Sequence, residues 1–351
     1  MDTSSHREVR SLEPTHTLAE YVSALEKALT SNAPALGCGP IHSTSVPPNI
    51  SLLVATSGST GAPKEIALTA NALVASAKAS NKYLGATKGD TWSLLLPLTH
   101  IAGINVLMRA LQLETTLIDM RNHQGTYSHA DFTAIVPTQL FSALHEDPEL
   151  LKHLQGAKAV LVGGASLSAQ LRTQGVNAGI NIITTYGMSE TCGGCVYDGN
   201  ALEGVSFAIT EDGRIKISGP VLAEVEKENG WFITNDLGKI VVGKLEVLGR
   251  SDDVIISGGE NISLSAIENE ISKKFPEVKS VAFAKSDSRW GQALHVAVQS
   301  RDESIKKQII DLLGQTIGAH AKPKSVILLD KHPLIGVGKI DRVSLAKMVD
   351  E

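Results

Sequence analysis

The sequence predicts an α/β fold: a large N-terminal α/β domain over residues 1–250 that includes a small β subdomain, and a small C-terminal α+β domain over residues 251–351. Three observations carry this expectation. From residue 51 to about residue 190, short apolar runs alternate with stretches of helical periodicity, as in a largely parallel sheet covered by helices. From about residue 200 to 250 the strands become short and closely spaced, with turn signals at Glu211-Asp212-Gly213 and Glu228-Asn229-Gly230. After Gly249-Arg250-Ser251-Asp252-Asp253 the order changes again, to strand, helix, strand, strand, helix, strand.

Taken in order, residues 1–50 read as a preamble too short for a domain. It holds one amphipathic helix, with Leu18, Tyr21, Val22, Leu25 and Leu29 inward, and a connector through Pro40, Pro47 and Pro48. The apolar run 51–55 enters the stretch Ala55-Thr56-Ser57-Gly58-Ser59-Thr60-Gly61-Ala62-Pro63-Lys64 as a buried strand. From Thr69 a helix follows, with Ala70, Leu73, Val74 and Ala77 on one face and Gly85 as its stop. Strand, glycine loop, helix is the expected order there. Further strands are expected at 92–96, 115–118, 133–136, 159–162 and 181–184. The loops after Val162 and Thr185 then lie at carboxyl ends of strands, where such sheets bind ligands. A helix near 265 is announced by Ser265 with Glu268 three places on, the spacing of a capping box.

A chain of 351 residues that is 42% hydrophobic can bury a core in two or more domains. Its net charge of -5 carries no footprint for nucleic acid or an anionic membrane surface, so small molecules are the expected partners. No apolar run approaches the ~20 residues that span a bilayer. The N-terminus lacks the charged-then-apolar order of a signal peptide, and three cysteines make no disulfide framework, so a cytoplasmic location is expected.

The loop at 55–64 is the first constellation with chemistry. Gly58 and Gly61 let the backbone bring N–H groups close to an anion. The Thr56, Ser57, Ser59 and Thr60 hydroxyls and the Lys64 ammonium add donors suited to a polyphosphate. A P-loop would need Gly before the lysine and Ser or Thr after it; Pro63 and Glu65 stand there, which argues against kinase and GTPase chemistry. The same composition also suits a flexible linker. Tyr186-Gly187-Met188-Ser189-Glu190-Thr191 sets a carboxylate beyond a strand end, suited to Mg²⁺ held together with phosphate oxygens, although a lone glutamate is more often in solvent. Asp236, in a turn behind Trp231-Phe232-Ile233, could accept two hydroxyls of a ribose or cap its turn. Gly258 and Gly259 in the domain joint could bend or let a thin ligand pass, as plain linkers also do. Lys339, on the glycine turn Gly336-Val337-Gly338, could neutralise charge on a phosphoryl or acyl oxygen, or simply be solvated.

In this order, over residues 51 to about 345, these motifs resemble the adenylate-forming family of acyl-CoA synthetases, luciferases and peptide-synthetase adenylation domains. The matching motifs are the Ser/Gly/Thr-Pro-Lys loop, Tyr-Gly-x-Ser-Glu, the aspartate after an aromatic strand, Gly-Arg-x-Asp-Asp and Gly-Lys-x-Asp-Arg. The resemblance implies that Thr56, Ser57, Gly58, Ser59, Thr60, Gly61 and Lys64 bind the triphosphate of ATP. Gly163, Gly164, Ala165, Tyr186 and Gly187 would line the adenine, with Ser189 beside them, and Glu190 would ligate Mg²⁺. Asp236 and Arg250 would hold the ribose, and Lys339 would be the lysine of adenylation. It further implies a small C-terminal domain that rotates about the position of Asp252, withdrawing Lys339 and presenting Gly258 and Gly259 to the pantetheine of coenzyme A. Glu65 and Asn235 stand where the family usually has Gly. The short stretch before the phosphate loop, with Leu96-Pro97-Leu98-Thr99-His100-Ile101-Ala102-Gly103, resembles the o-succinylbenzoate:CoA ligases of menaquinone biosynthesis, in particular the compact actinobacterial type.

An aromatic keto-diacid needs an apolar slot for its ring and a fixed contact for the carboxylate that is not activated. His100 matches the family histidine near the acyl pocket, to orient the carboxylate or gate the thiol, and could equally close a turn. Arg109 could pair with the distal carboxylate, but its helical spacing favours a solvated face. Cys192 and Cys195 lack the context of a redox pair or zinc site and read as small packing residues. The expected activity is an acid-thiol ligase that activates 2-succinylbenzoate with ATP and Mg²⁺ and transfers it to CoA. The alternatives are a ligase for another carboxylic acid, one that loads a carrier protein, or a catalytically silent nucleotide-binding regulator. A homodimer is left open.

Overall fold

The computed structural model describes residues 6–12, 16–30, 33–57, 63–123, 125–335 and 339–349. They fall into two units: residues 1–210, 216–234 and 240–246 in one, and residues 211–215, 235–239 and 247–351 in the other.

The first unit begins with β1 (Arg7–Ser11), α1 (Leu18–Ala28), β2 (Ala35–Cys38), β3 (Ser45–Val46), β4 (Ile50–Ser57) and β5 (Pro63–Thr69). These strands form a five-stranded sheet in the order β3-β1-β2-β4-β5. Residues 1–50 are therefore more than the preamble expected of them: they supply three strands to the sheet that carries the phosphate-loop strand. Ala35–Cys38 is buried at every position, so no alternation of polar and apolar residues marks it as a strand. What fastens the segment is Arg7, 7% exposed. Its guanidinium donates to the carbonyls of Ala28 (2.9 Å), Thr30 (3.0 Å), Ala33 (2.8 Å), Pro48 (3.4 Å) and Ile50 (2.9 Å).

A second departure follows. β4 and β5 are antiparallel, paired from Ile50↔Thr69 to Ser57↔Pro63, so the strand β5 stands in the chain between the glycine stretch and the helix. That helix, α2 (Ala70–Leu84), starts where expected: the Thr69 side chain caps it by accepting from Ala72 N, and Gly85 ends it at φ +63.

β6 (Trp92–Leu94), α3 (Ile101–Leu113), β7 (Leu117–Asp119), β8 (Phe132–Ile135), α4 (Pro137–His145), α5 (Pro148–Gly156), β9 (Ala159–Val162), α6 (Ala169–Asn177), β10 (Ile182–Met188), β11 (Gly193–Tyr197) and β12 (Asn200–Ala201) follow. They build a seven-stranded sheet, β12-β11-β10-β9-β8-β6-β7. The five strands from β10 to β7 are parallel, as their alternation with helices requires, and β11 turns back antiparallel on β10. α4 and α5 pack an apolar cluster of Leu140, Leu150 and Leu154 against Ile135, Val160 and Val162. α3, pressed between the sheet and α2, is buried on nearly every side.

β13 (Ser206–Ile209), β14 (Arg214–Ser218), β15 (Phe232–Val241) and β16 (Lys244–Arg250) form a four-stranded sheet in the region read as a small β subdomain. The second unit continues with β17 (Val254–Ser257), β18 (Glu260–Ser263), α7 (Leu264–Lys274), β19 (Ser280–Asp287), β20 (Gly291–Gln299), α8 (Ser304–Thr316), β21 (Ser325–Leu329), β22 (Leu334–Ile335), β23 (Lys339–Ile340) and α9 (Arg342–Met348). One face of its sheet packs on Ile267 and Ile271 of α7 and Ile309 and Leu313 of α8; the other takes Leu345 of α9 onto Val281, Phe283 and Ala297. α7 is capped by Ser263, which accepts from Ala266 N, and not by Ser265. Glu268 is drawn away from the helix end to accept from Ala282 N at 2.9 Å.

Candidate active site

β4 and β5 flank the stretch expected to bind phosphate. Gly58, Ser59, Thr60 and Gly61 lie outside the described residues, as does the side chain of Ser57. Thr56 Oγ1 donates across the hairpin to the Lys64 carbonyl at 3.1 Å, and the Lys64 side chain is exposed. Glu65 has a task of its own: its carboxylate accepts from the backbone N–H groups of His42 and Ser43 and ties the connector to the hairpin. Burial works against its charge, but these donors outweigh it and hold the carboxyl below its usual range. Gly39 was not singled out in the sequence. At φ +86 it lies between the two loops, with Ala55 Cβ 3.3 Å and the Thr99 carbonyl 3.4 Å from where a Cβ would stand. The turn that leads into His100 thus abuts the phosphate-loop strand. His100 is exposed at the start of α3, its Nδ1 3.1 Å from Thr99 Oγ1. The helix can begin there because Gly103 lies against Pro97, whose carbonyl oxygen is 2.3 Å from a Cβ position.

Gly163, Gly164 and Ala165 follow β9, and Tyr186 and Gly187 end the adjacent β10, so the two expected adenine segments are neighbours. A side chain at Gly163 would strike Thr185 Oγ1 at 2.0 Å, and Gly164, at φ +79, is exposed with Ala165. This leaves an open backbone ledge that a flat base can approach. At Gly187 the register of β10 on β11 shifts, and a Cβ there would stand 1.9 Å from the Gly193 carbonyl. The single turn Ser189–Thr191 follows, with Ser189 buried and Glu190 half-buried. The Glu190 carbonyl accepts from Ala223 N at 2.9 Å, and Glu224 N donates to the Ala67 carbonyl of β5 at 3.0 Å, so one segment ties the glutamate to β5.

Behind this turn lies a polar core that sequence reasoning misread. Arg109 is 4% exposed, not on a solvated face. Its Nε donates to Ser80 Oγ at 2.8 Å and its Nη2 to the Tyr197 hydroxyl at 3.0 Å, and the guanidinium lies 5.2 Å from the centre of the Trp92 ring. No carboxylate pairs with it among the described residues. The helical spacing of Arg109 was readable, but the burial of α3 on the side away from the sheet comes from α2. Asn105 and Ser76 both donate to the Cys192 carbonyl, fixing the segment beyond Glu190. Cys192 and Cys195 are buried free thiols: burial pushes Cys195 up to about 12 and Cys192 higher still, as expected of packing residues.

In the second unit Asp236 lies inside β15 and not in a turn behind the aromatic residues; 8% exposed, it is 3.4 Å from Arg250 Nη1. Gly258 and Gly259 make the β17–β18 turn at φ +59 and +87, with the Trp290 ring 2.7 Å from a Cβ position on Gly258. Lys339 opens β23, paired with Ile335 of β22; its side chain and residues 336–338 lie outside the described residues.

The donors suit ATP and Mg²⁺. Among the described residues no group of three acidic, histidine or cysteine side chains forms a metal cage. None is needed, because Mg²⁺ in such sites takes one or two carboxylates and completes its shell with phosphate oxygens and water. The half-buried Glu190 offers one hard oxygen donor of that kind. No helix among the described residues is long and apolar enough to cross a membrane.

Residues 3–231 match the AMP-binding enzyme family and residues 267–339 the AMP-binding enzyme C-terminal domain. The chain is 33% identical over 366 residues to a probable 2-succinylbenzoate–CoA ligase of Mycobacterium tuberculosis, covering 92% of this chain and 94% of that protein. It is 31% identical to the 2-succinylbenzoate–CoA ligase of a Listeria monocytogenes strain, over 83% of this chain and 68% of that one. Among solved structures it resembles the o-succinylbenzoate coenzyme A synthetase of Bacillus subtilis in complex with ATP and magnesium ion, with a TM-score of 0.74 at 24% identity, over 95% of this chain and 83% of that one. This last likeness establishes the adenylate-forming fold.

Proposed function

The chain belongs to the AMP-binding enzyme family, and on that premise we propose that it is a 2-succinylbenzoate–CoA ligase. The observation that carries the reading is the match to a relative of that name over 92% of this chain and 94% of the relative. In the first half-reaction a carboxylate oxygen of the acid attacks the α-phosphorus of ATP; an acyl-AMP forms and pyrophosphate leaves. In the second the thiol of CoA attacks the acyl carbonyl and AMP leaves.

The roles follow from the chemistry of the residues. The stretch from Thr56 to Lys64, with its hydroxyls, N–H groups and ammonium, binds the triphosphate. Gly163, Gly164, Ala165, Tyr186 and Gly187 receive the adenine, with Ser189 beneath them. Glu190 would hold Mg²⁺, which supplies positive charge against the phosphates. Asp236 accepts from the ribose hydroxyls, with Arg250 orienting its carboxylate. Lys339 neutralises charge that develops as the carboxylate attacks. His100 orients that carboxylate, and Gly258 and Gly259 lie along the pantetheine. We read residues 251–351 as the domain that turns about Asp252 between the half-reactions. The expected location is the cytoplasm.

The deciding experiment follows pyrophosphate release and thioester formation together, with ATP, Mg²⁺, CoA and a panel of 2-succinylbenzoate, benzoate and medium-chain fatty acids. Strong preference for 2-succinylbenzoate in both signals is expected; equal turnover of another acid would overturn the substrate, and silence on all would overturn the activity. Lys339→Ala is expected to abolish most acyl-AMP formation while thioester formation from preformed acyl-AMP survives. Glu190→Ala is expected to weaken magnesium-dependent turnover, and an unchanged magnesium dependence contradicts its role.

A further inference from the structure

Arg342 stands three positions beyond Lys339, at the first residue of α9, and its guanidinium is spread over separate elements of the second unit. Nε donates to the Ala282 carbonyl of β19 at 3.0 Å, and Nη2 to Glu268 Oε1 of α7 at 2.9 Å. Nη1 lies 3.4 Å from Asp253 Oδ1, in the turn that holds Asp252. Glu268 is itself held by the Ala282 N–H, so the receiving carboxylate is fixed. On its other side the lysine segment is fastened as well. Asp341 N donates to the Pro333 carbonyl at 2.9 Å, the Asp341 carboxylate caps α9 by accepting from Ser344 N at 3.0 Å, and Leu345 is fully buried.

We propose that Arg342 is a positioning residue for Lys339: its ion pair with Asp253 fastens the hinge turn to the lysine-bearing strand, so that the lysine swings with the hinge as one piece. The proposal rests on the roles read above for Lys339 and Asp252. A lysine side chain has many torsions to lose before it meets a phosphoryl oxygen, and a displacement of about 1 Å costs on the order of 100-fold in rate. An arginine bridging helix, strand and hinge removes that freedom in advance, because its planar fork reaches several partners at fixed angles.

The test uses the full-length protein with 2-succinylbenzoate and reads the half-reactions separately, as ATP–pyrophosphate exchange and as thioester formation from acyl-AMP supplied preformed. Arg342→Gln is expected to lower kcat of exchange by about tenfold or more, in line with the cost of misplacement, leaving KM for ATP and for the acid within about twofold and the thioester step intact. In a Lys339→Ala background the same substitution is expected to cost nothing further, since the arginine acts through the lysine. Asp253→Asn, which leaves Arg342 on Ala282 and Glu268, should reproduce the exchange defect and decides the matter if Arg342→Gln fails to fold. Equal loss in both half-reactions, or a full additional loss beside Lys339→Ala, overturns the positioning role. If Lys339→Ala is impaired while both clamp variants are not, only the clamp fails; if Lys339→Ala itself exchanges normally, the reading of the lysine fails and the clamp with it.

Discussion

Gly187 shows how little room single residues near the proposed adenine ledge leave for change. A methyl group there would stand 1.9 Å from the Gly193 carbonyl and 2.7 Å from Gly194 Cα, both backbone atoms of the paired strand. Gly187→Ala must therefore push β10 and β11 apart; a cost of about 3 kcal/mol is expected, read as a fall in the denaturant midpoint, together with loss of acyl-AMP formation. Gly259→Ala is the contrast. Nothing lies within 4 Å of its Cβ position and only its φ of +87 opposes a side chain, so about 1 kcal/mol is expected. Arg109 makes the chemical counterpart. Arg109→Gln keeps hydrogen-bonding capacity toward Ser80 and Tyr197 but removes the buried charge. Because those contacts join α3 to α2 and β11, a loss of roughly 1–3 kcal/mol of stability is expected, read as a fall in the denaturant midpoint, with KM for 2-succinylbenzoate little changed; an unchanged midpoint would contradict this structural role.

At the scale of elements, the N-terminal segment depends on one side chain more than on its own strands. β1 and β2 are short, and Arg7 collects carbonyls from the end of α1, from the connector and from β4. Arg7→Met removes the donors and leaves buried carbonyls unpaired, at roughly 1–3 kcal/mol for each that water cannot reach. The expected outcome is a destabilisation of about 3 kcal/mol or more, on the same scale, with earlier proteolysis between residues 6 and 50. This element was the least legible in the sequence. An arginine near a chain end reads as solvated, and only the carbonyls that converge on it from distant segments give it a purpose. The helix α2 is the opposite case, because Thr69 and Gly85 write its start and stop into the chain.

For the whole molecule, three buried histidines set the acid limit. Burial lowers His153 in the first unit and His295 and His332 in the second below the ordinary value of 6.5. Each is neutral in the fold while the unfolded chain takes up protons as pH falls through 6.5. Their contribution is therefore complete above that pH and is lost progressively below it, by at most about 1.4 kcal/mol per pH unit for each. Melting temperature is expected to fall between pH 7 and pH 5, and His153→Phe to flatten that dependence in the first unit's transition. An unchanged slope would contradict the assignment.

The sequence alone determined the α/β class and the order of the motifs from which the chemistry is proposed: the hydroxyl-rich loop, Glu190, Asp236, the glycines at 258–259 and Lys339. These signals are local, because turn residues and period-2 or period-3.6 patterns act on their neighbours in the chain. Tertiary structure decided what depends on contacts between distant segments. It made residues 7–46 part of a sheet, laid β5 antiparallel on β4 ahead of α2, and moved Arg109 from an apparent surface to the core beneath α2. It also gave Glu268 to Ala282 and Arg342 in place of a helix cap. In each case a side chain's partner is far away along the chain, and no local pattern encodes which distant backbone will arrive beside it.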